Sequence, residues 1–284
     1  MTVSKHPIPI LEHDTNPKAL INHDHDGCVL PHQAVFAFLG DTVDQYAAEN
    51  SAEILDVFRT IGRDTNIYRI QHNGQTLCLC RAPLGGSAAV QLMDYLIGHG
   101  VTSILATGSC GALTDLPENA FLIPTKALRD EGASYHYLPP SRFVETSPCL
   151  SQHLNDTLTQ KGLHCAPCTT WTTDGFFRET EEMVAYRREE GCSVVEMECA
   201  SMAACAQFRG AEFAQLLYTA DSLADARNYD ARNWGENAVL PALLICLDAA
   251  VRVYDTLPYV CRNFSKFYRN STKNSLYFPR ITML

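Results

Sequence analysis

The chain has 284 residues, of which 46% are hydrophobic and 19% charged, and this predicts one large α/β domain or two small ones with a substantial core. Its formal net charge of -10 argues against nucleic acid and anionic membranes as the main partners, because both bind basic surfaces. The N-terminus lacks the apolar region of a secretion signal and no segment is long enough to span a bilayer, so the twelve cysteines predict a reduced, cytoplasmic setting.

Strands and helices alternate in the first half of the chain. An Asn-Gly pair between two apolar runs predicts a β-hairpin, and glycine-rich stretches follow several other runs. The predicted strands cover residues 34–39, 67–70, 76–80, 103–107 and 120–123. Helical spacing of apolar residues predicts helices over residues 42–60 and 84–99, and a polar, aromatic loop is predicted over residues 129–142.

The second half repeats this alternation. The predicted strands cover residues 166–172, the region around Val194 and residues 213–219, and the predicted helices cover residues 151–161, 179–190, 199–209 and 237–254. Because no linker interrupts the pattern, we predict a single α/β domain with a largely parallel or mixed, twisted central sheet flanked by helices. The predicted boundaries are an N-terminal extension over residues 1–30, a catalytic domain over residues 31–258 and a C-terminal tail over residues 259–284.

One CxxC pair, Cys165-Ala-Pro-Cys168, has the spacing of a metal or redox site. No second CxxC or suitably spaced CxxH accompanies it, and the other cysteines are scattered along apparent core segments. We therefore predict no metal site, and we interpret most of the cysteines as small apolar core residues.

The most informative run covers residues 193–199 and reads Ser-Val-Val-Glu-Met-Glu-Cys. A buried strand there precedes a helix of small residues, and α/β proteins bind ligands at such strand ends. The two carboxylates, Glu196 and Glu198, offer acceptor oxygens that suit a pair of sugar hydroxyls. The alternative is that both acidic residues simply begin the helix, where negative charge is favourable.

Three short stretches rich in glycine or small hydroxyl residues follow predicted strands. A glycine lets the backbone approach a ligand, and free N–H groups at a helix start bind anions. Together with the two glutamates they predict a pocket at one edge of the sheet, with one wall for an anion and another for a polyol. The stretches are Gly40-Asp41-Thr42, Leu84-Gly85-Gly86-Ser87 and Gly108-Ser109-Cys110-Gly111.

Other candidate residues lie near the ends of later strands. Asp221 follows the strand over residues 213–219, where burial could make it a general acid, or where it could cap a helix. The aromatic pair Phe176 and Phe177 could stack on a heterocycle or belong to the core. Arg178 follows the pair closely enough to reach the carbonyl edge of a pyrimidine.

Three motifs carry a family resemblance. Residues 194–198 read Val-Val-Glu-Met-Glu, residues 104–113 read Ile-Leu-Ala-Thr-Gly-Ser-Cys-Gly-Ala-Leu, and residues 127–139 contain Asp-Glu-Gly-Ala-Ser-Tyr-His-Tyr. They resemble, in turn, the ribose-binding motif, the second glycine motif and a uridine phosphorylase loop of the class I nucleoside phosphorylase family. The resemblance runs from about residue 35 to residue 254. That family includes uridine phosphorylase, hexameric purine nucleoside phosphorylase and the methylthioadenosine nucleosidases, so the resemblance implies a nucleoside phosphorylase-like fold.

The resemblance also implies roles for residues that would hold a nucleoside. Glu198 would bind the 2′- and 3′-hydroxyls of ribose, Met197 would pack against the sugar and Glu196 would support both. Phe176 would stack on the base. Asp221 would act as the general acid that protonates or hydrogen-bonds the leaving base.

For phosphate, the resemblance implies binding by Gly40 and Ser109, and by Arg63 of a neighbouring subunit. The chain departs from the family at two positions that usually carry phosphate-binding arginines, where it has Asp44 and Ala106. Arginine forms bidentate, charge-assisted bonds to phosphate, so these losses weaken the anion site. The candidates to replace them are Arg81, Arg129 and Arg178.

Three functions remain open at the level of sequence. The first is phosphorolysis of a uridine-like or purine nucleoside, with inorganic phosphate as co-substrate and no other cofactor. The second is hydrolysis of the same bond by water, which the missing arginines favour, and the third is a catalytically silent nucleoside-binding protein. The resemblance further implies a homo-oligomer, either a dimer or a hexamer, because family members borrow site residues from a neighbouring subunit.

Overall fold

The computed structural model describes residues 2–21, 28–225 and 227–256, with side chains as far as residue 251. The predicted C-terminal tail lies outside these residues. The strands are β1 Val3–Ser4, β2 His13–Asp14, β3 Gln33–Phe38, β4 Glu53–Phe58, β5 Thr65–His72, β6 Gln75–Arg81, β7 Ser103–Ala112, β8 Phe121–Asp130, β9 Phe143–Glu145, β10 Cys165–Thr173, β11 Val194–Glu196 and β12 Glu212–Ser222. The helices are α1 Asp41–Glu49, α2 Gly86–Gly98, α3 Pro148–Gln160, α4 Glu181–Glu189, α5 Cys199–Arg209 and α6 Val239–Thr256.

A ten-stranded mixed sheet forms the centre of the described structure, in the order β11-β10-β8-β12-β7-β3-β6-β5-β4, with β9 paired to β8. β3 is parallel to β6 and β7, and β7 is parallel to β12, whereas β4, β5 and β6 are antiparallel neighbours. β11 pairs with both β10 and β7, so the strands from β11 to β7 close into a ring. The predicted α/β class with a mixed, helix-flanked sheet is confirmed.

Helices cover both faces of the sheet, and β3 shows how one strand serves two cores. Val35 and Ala37 belong to a cluster with α1, α3 and α6, whereas Ala34 and Phe36 belong to a second cluster with α2 and α5. Successive side chains of a strand point to opposite faces, so a continuous apolar run is what a strand covered on both sides requires.

The predicted helix over residues 42–60 is wrong in its second half. α1 ends at Glu49, Ser51 takes a positive φ of 50°, and the chain then forms β4, which pairs antiparallel with β5. A positive φ at a residue other than glycine marks a turn. The spacing of Ile54, Leu55 and Phe58 fits one helical face, but the same residues lie on an extended strand because β5 supplies its hydrogen bonds.

The N-terminal residues pack against the end of α5. β1 and β2 pair antiparallel, and Arg209 at the end of α5 donates from Nη1 to the carbonyl oxygen of Pro17 at 2.7 Å. The boundaries predicted at residues 30 and 258 stay predictions. None of the helices in the described ranges is long and apolar enough to cross a membrane.

The cysteines with described side chains are free thiols, and most of them lie in the core. Burial raises the pKa of five thiols in the core, which are those of Cys78, Cys80, Cys110, Cys199 and Cys246. Within the described part of the chain, no group of three or more His, Cys, Asp or Glu side chains could hold a metal.

Because the thiolate is the reactive form, these five buried thiols should resist alkylation in the native protein. We expect a short pulse of N-ethylmaleimide, mapped by peptide mass spectrometry, to label the half-buried Cys28 and Cys149 well before the five. A pulse in urea should label all of them equally. Early labelling of the buried thiols in native protein would contradict the packing described above.

Candidate active site

A cleft of about 580 Å³ opens at the ends of the central strands. β3, β7, β11 and β12 supply its floor, and the loops after β6, β10 and β12 supply its walls. The side of a parallel sheet where several strands end is the usual ligand site of α/β folds. The lining residues are Phe38, Leu84, Gly108, Ser109, Cys110, Gly111, Phe176, Phe177, Glu179, Val195, Glu196, Met197, Glu198, Gln215, Ala220, Asp221, Leu223, Tyr229 and Trp234.

The structure brings most of the predicted site residues together in this cleft. The predicted residues that line it are Ser109, Phe176, Glu196, Met197, Glu198 and Asp221. The predicted residues that do not line it are Gly40, Arg63 and Arg178. The residues that line the cleft come from segments far apart in sequence, and the order of the strands in the sheet brings them together.

Glu196 ends β11 and is held in one orientation by four hydrogen bonds. Its Oε1 accepts from the hydroxyls of Thr172 at 2.6 Å and Thr170 at 3.2 Å, and its Oε2 accepts from the backbone N–H groups of Glu198 at 2.8 Å and Cys199 at 2.7 Å. Burial raises the pKa of this carboxyl, and the four hydrogen bonds oppose that rise. Glu196 therefore fixes the backbone that carries Glu198.

Glu198 occupies the N-cap position of α5, but its side chain caps nothing. Its Oε1 instead accepts a hydrogen bond from the backbone N–H of Gly85 at 2.6 Å across the cleft. The side chain is nearly buried, and burial together with the charge of Glu196 raises its pKa to about 8. A helix start that merely favours negative charge would leave the carboxylate in solvent, so that interpretation does not describe Glu198.

The aromatic pair belongs to the cleft and not to the core. The side chains of Phe176 and Phe177 are 48% and 88% exposed. Their ring centroids lie 4.0 Å apart at an interplanar angle of 39°. Exposed apolar rings beside a polar cavity are suited to stack on a flat heterocycle.

Asp221 lies in the last part of β12 and caps no helix, so the capping alternative is wrong. A register irregularity falls between Thr219 and Ser222, as expected of a bulge that redirects a side chain. The hydroxyl of Tyr229 donates to Asp221 Oδ2 at 3.1 Å. The sequence did not single out Tyr229 or Glu179, although both line the same wall.

The prediction that residues 108–111 follow the strand over residues 103–107 as a separate glycine-rich stretch is wrong, because they belong to the strand. β7 runs through Ala112, and this segment pairs with β3, β12 and β11. A Cβ on Gly108 would come within 2.9 Å of Phe38, and one on Gly111 within 2.8 Å of Leu223. The glycines thus permit close packing of neighbouring segments, and they do not form a helix-start anion site.

The arginines near the predicted anion site are already paired. Asp44 accepts from the hydroxyl of Tyr68 at 2.9 Å, from Arg63 Nη2 at 3.2 Å and from Arg81 Nη1 at 3.4 Å, and Arg81 also pairs with Asp41. The negative residue at the family's arginine position thus holds two guanidinium groups of its own chain. This arrangement locally neutralises charge that a phosphate would otherwise meet.

The two other replacement candidates lie elsewhere. Arg129 uses its guanidinium group to hold the loop after β8. It donates to Ser134 Oγ at 2.8 Å, to Ser141 Oγ at 2.7 Å and to the carbonyl oxygens of Pro139 and Leu138. Arg178 is exposed beside the aromatic pair. Among the described residues that line the cleft there is no Arg, Lys or His, whereas Glu179, Glu196, Glu198 and Asp221 are all acidic.

Comparison with known proteins gives one family and several relatives. The family model described as the phosphorylase superfamily matches residues 34–252. Guanosine phosphorylase of Halorubrum lacusprofundi is 27% identical over 158 residues, which are 52% of this chain and 62% of that protein. A DeoD-type purine nucleoside phosphorylase of Bacillus cereus is 26% identical over 170 residues, which are 58% of this chain and 71% of that protein.

Solved structures share the fold at low sequence identity. Uridine phosphorylase from Vibrio fischeri superposes with a TM-score of 0.69 at 18% identity, covering 83% of this chain and 99% of that one. AMP nucleosidase from Bacteroides thetaiotaomicron superposes with a TM-score of 0.65 at 19% identity, covering 79% of this chain and 90% of that one.

Proposed function

Since residues 34–252 match its family model, the chain belongs to the phosphorylase superfamily, and we propose that it cleaves the N-glycosidic bond of a nucleoside. Phosphate is the proposed nucleophile, and the products are the free base and pentose 1-phosphate. The proposed base is either uridine-like or a purine, and the experiment below distinguishes the two.

The observation that carries the proposal is the position of Glu198. Its carboxyl lies on the cleft floor, held by Gly85 and oriented through Glu196, and it has acceptor oxygen left for two sugar hydroxyls. Glycosidic cleavage develops positive charge on the sugar, and an ionised carboxylate beside the ring stabilises that charge. The proposed base site on Phe176 and the carboxyl of Asp221 lie in the same cleft.

Two observations support phosphate as the nucleophile. The curated relatives that match about half of the chain are a guanosine phosphorylase and a purine nucleoside phosphorylase. Ser109 lines the cleft and is exposed, so its hydroxyl can donate to an anion bound there. In this proposal, Gly40 is a further donor to phosphate, and Arg63 reaches the phosphate of a neighbouring subunit in a homo-oligomer.

Hydrolysis is the second candidate, and a specific observation favours it. The described cleft residues include no cationic side chain, while Asp44 holds Arg63 and Arg81 in ion pairs. A phosphate dianion is attracted by cations and repelled by carboxylates, whereas a water molecule is indifferent to both. The structural likeness to an AMP nucleosidase is compatible with this chemistry.

Release of free base from uridine, thymidine, inosine, adenosine and methylthioadenosine, each with and without phosphate, tests the proposal. Phosphorolysis requires that base release depend on phosphate and yield pentose 1-phosphate. Phosphate-independent release with free pentose as co-product establishes hydrolysis instead. No release from any of the five would contradict both activities on these substrates and would favour either an unusual substrate or a protein that only binds nucleosides.

The pairing of Asp44 leads to a prediction about phosphate affinity. Asp44→Ala releases Arg63 and Arg81 from a shared carboxylate. If phosphate is the nucleophile, we expect its KM to fall by about 3- to 10-fold, equivalent to ~1 kcal/mol for a partly exposed charge. Asp64→Ala, at an exposed neighbouring position, is the matched control. An unchanged phosphate KM in Asp44→Ala would show that the two arginines do not face the anion.

A further inference from the structure

Glu179 is a half-buried carboxyl that has no assigned role. It follows the 3-10 turn Phe176–Arg178 and lines the cleft directly after the two exposed rings. Among the residues with described side chains, none donates a hydrogen bond to its carboxyl or pairs with it. A carboxyl that is partly removed from water and left unpaired is unfavourable unless it meets a ligand or a proton.

The residues that line the cleft with Glu179 are acidic or neutral, and Asp221 and Tyr229 are the ones that interact with it electrostatically. Asp221 and Tyr229 approach from β12 and the loop that follows it, Glu196 and Glu198 lie on the floor, and the thiol of Cys110 lies on β7. Within the described cleft lining, no cation faces it. Glu179 therefore has neighbours that favour its neutral form.

The two carboxyls of this wall have different environments. Burial, followed by the charge of Asp221, raises the pKa of Glu179 to about 7. Asp221 instead accepts a hydrogen bond from the hydroxyl of Tyr229 at 3.1 Å, so its carboxyl has a partner of the kind that Glu179 lacks. Of the two carboxyls, the unpaired one is therefore the one available to a ligand in the cleft.

We propose that Glu179 donates the proton to the departing base and that Asp221 is its positioning neighbour. As the bond between C1′ and the base nitrogen breaks, its electron pair stays on the base, and the Glu179 carboxyl proton moves to a ring or carbonyl acceptor of that base. The nucleophile forms the new bond to C1′, and Glu179 regains a proton from solvent. This inference rests on the proposed N-glycosidic cleavage.

The first experiment separates proton donation from packing by changing the leaving group. Glu179→Gln keeps the shape of the side chain but cannot transfer a proton. On the best nucleoside of the panel, we expect kcat to fall about 10²-fold, the usual contribution of a general acid. On 4-nitrophenyl riboside, whose phenolate leaves without protonation, kcat should stay close to the wild-type value, because no proton transfer is lost.

The second experiment is the pH profile of kcat/KM on the nucleoside. Glu179 must be protonated to act, so the activity it supports is lost as pH rises through its pKa. The wild type should therefore show an alkaline limb that Glu179→Gln lacks. Asp221→Asn removes the charge that raises the pKa of Glu179, so its alkaline limb should move to lower pH.

Glu181→Gln, at an exposed position on α4, is the matched control and should behave like the wild type in both experiments. Equal losses of Glu179→Gln on both substrates, or an alkaline limb that persists in this variant, would overturn the inference. Full nucleoside activity of the variant would overturn it as well. If the wild type itself releases no base, the proposed function fails, which is a distinct result.

Discussion

Glu198→Ala should lower kcat/KM for the nucleoside by about 10²- to 10⁴-fold. Each charge-assisted hydrogen bond to a sugar hydroxyl contributes about 1.5–3 kcal/mol, and each 1.4 kcal/mol corresponds to a factor of ten. The loss should appear mainly in kcat, because the carboxylate opposes positive charge that develops only in the transition state. Steady-state kinetics of base release measures both parameters.

A stability measurement distinguishes this loss from unfolding. Burial, followed by the charge of Glu196, raises the pKa of the Glu198 carboxyl to about 8. Because its folded pKa lies above the unfolded value, its contribution to stability is greatest at low pH and is lost as pH rises through about 8. Glu198→Ala should thus unfold at no lower temperature than the wild type at pH 8.

The kinetic control is Glu189→Gln, on the exposed surface of α4, which should turn over like the wild type. Unchanged turnover of Glu198→Ala would refute the sugar-binding role.

Glu196→Ala should destabilise the fold as well as abolish turnover. The substitution leaves the N–H groups of Glu198 and Cys199 without an acceptor in a buried site. Each unsatisfied group costs about 1–3 kcal/mol, so we expect a loss of about 2–4 kcal/mol after the relief of carboxylate desolvation. Differential scanning calorimetry should show a Tm lower by roughly 5–15 °C.

Glu196→Gln separates the hydrogen bonds from the charge. Its amide oxygen can still accept from the two backbone N–H groups, and its NH₂ can donate to the hydroxyls of Thr170 and Thr172. We expect this variant to lose less than half of the stability that Glu196→Ala loses. Equal Tm losses in the two variants would show that the charge, and not the hydrogen-bond acceptor, stabilises the site.

The sugar-binding end of the site was predictable because the residues that form it are adjacent in the sequence. The run over residues 193–199 places β11, both glutamates and the start of α5 within a few positions, and α5 ends at Arg209 as predicted. Small and apolar residues fill both sides of this junction, so only a buried strand followed by a buried helix fits them.

The errors arose where distant segments decide the local structure. Residues 53–58 carry a helical spacing, yet β5 turns them into a strand. Residues 108–111 contain two glycines, yet they stay extended because Phe38, Val195 and Leu223 pack where their side chains would be. Glycine marks either a turn or a close approach, and the sequence alone does not distinguish the two.

The base end of the site could not be read from sequence for a related reason. Glu179 looks like the first acid of an ordinary helix start, and Tyr229 lies in a polar loop. Both residues line the cleft because the sheet brings the segment after β10 next to the end of β12, and this proximity is not visible in the sequence. Asp221 was therefore the only acid that the sequence analysis proposed for the leaving base.

The buried carboxyl on the cleft floor also couples ligand binding to the release of a proton. With its pKa raised to about 8, Glu198 is mostly protonated in the unliganded protein at neutral pH. Ribose hydroxyls donate their hydrogen bonds to the ionised form, so an arriving nucleoside displaces the proton into the surrounding buffer. Below about pH 8 we therefore expect the apparent affinity for the sugar to increase with pH, and we expect nucleoside binding to acidify an unbuffered solution.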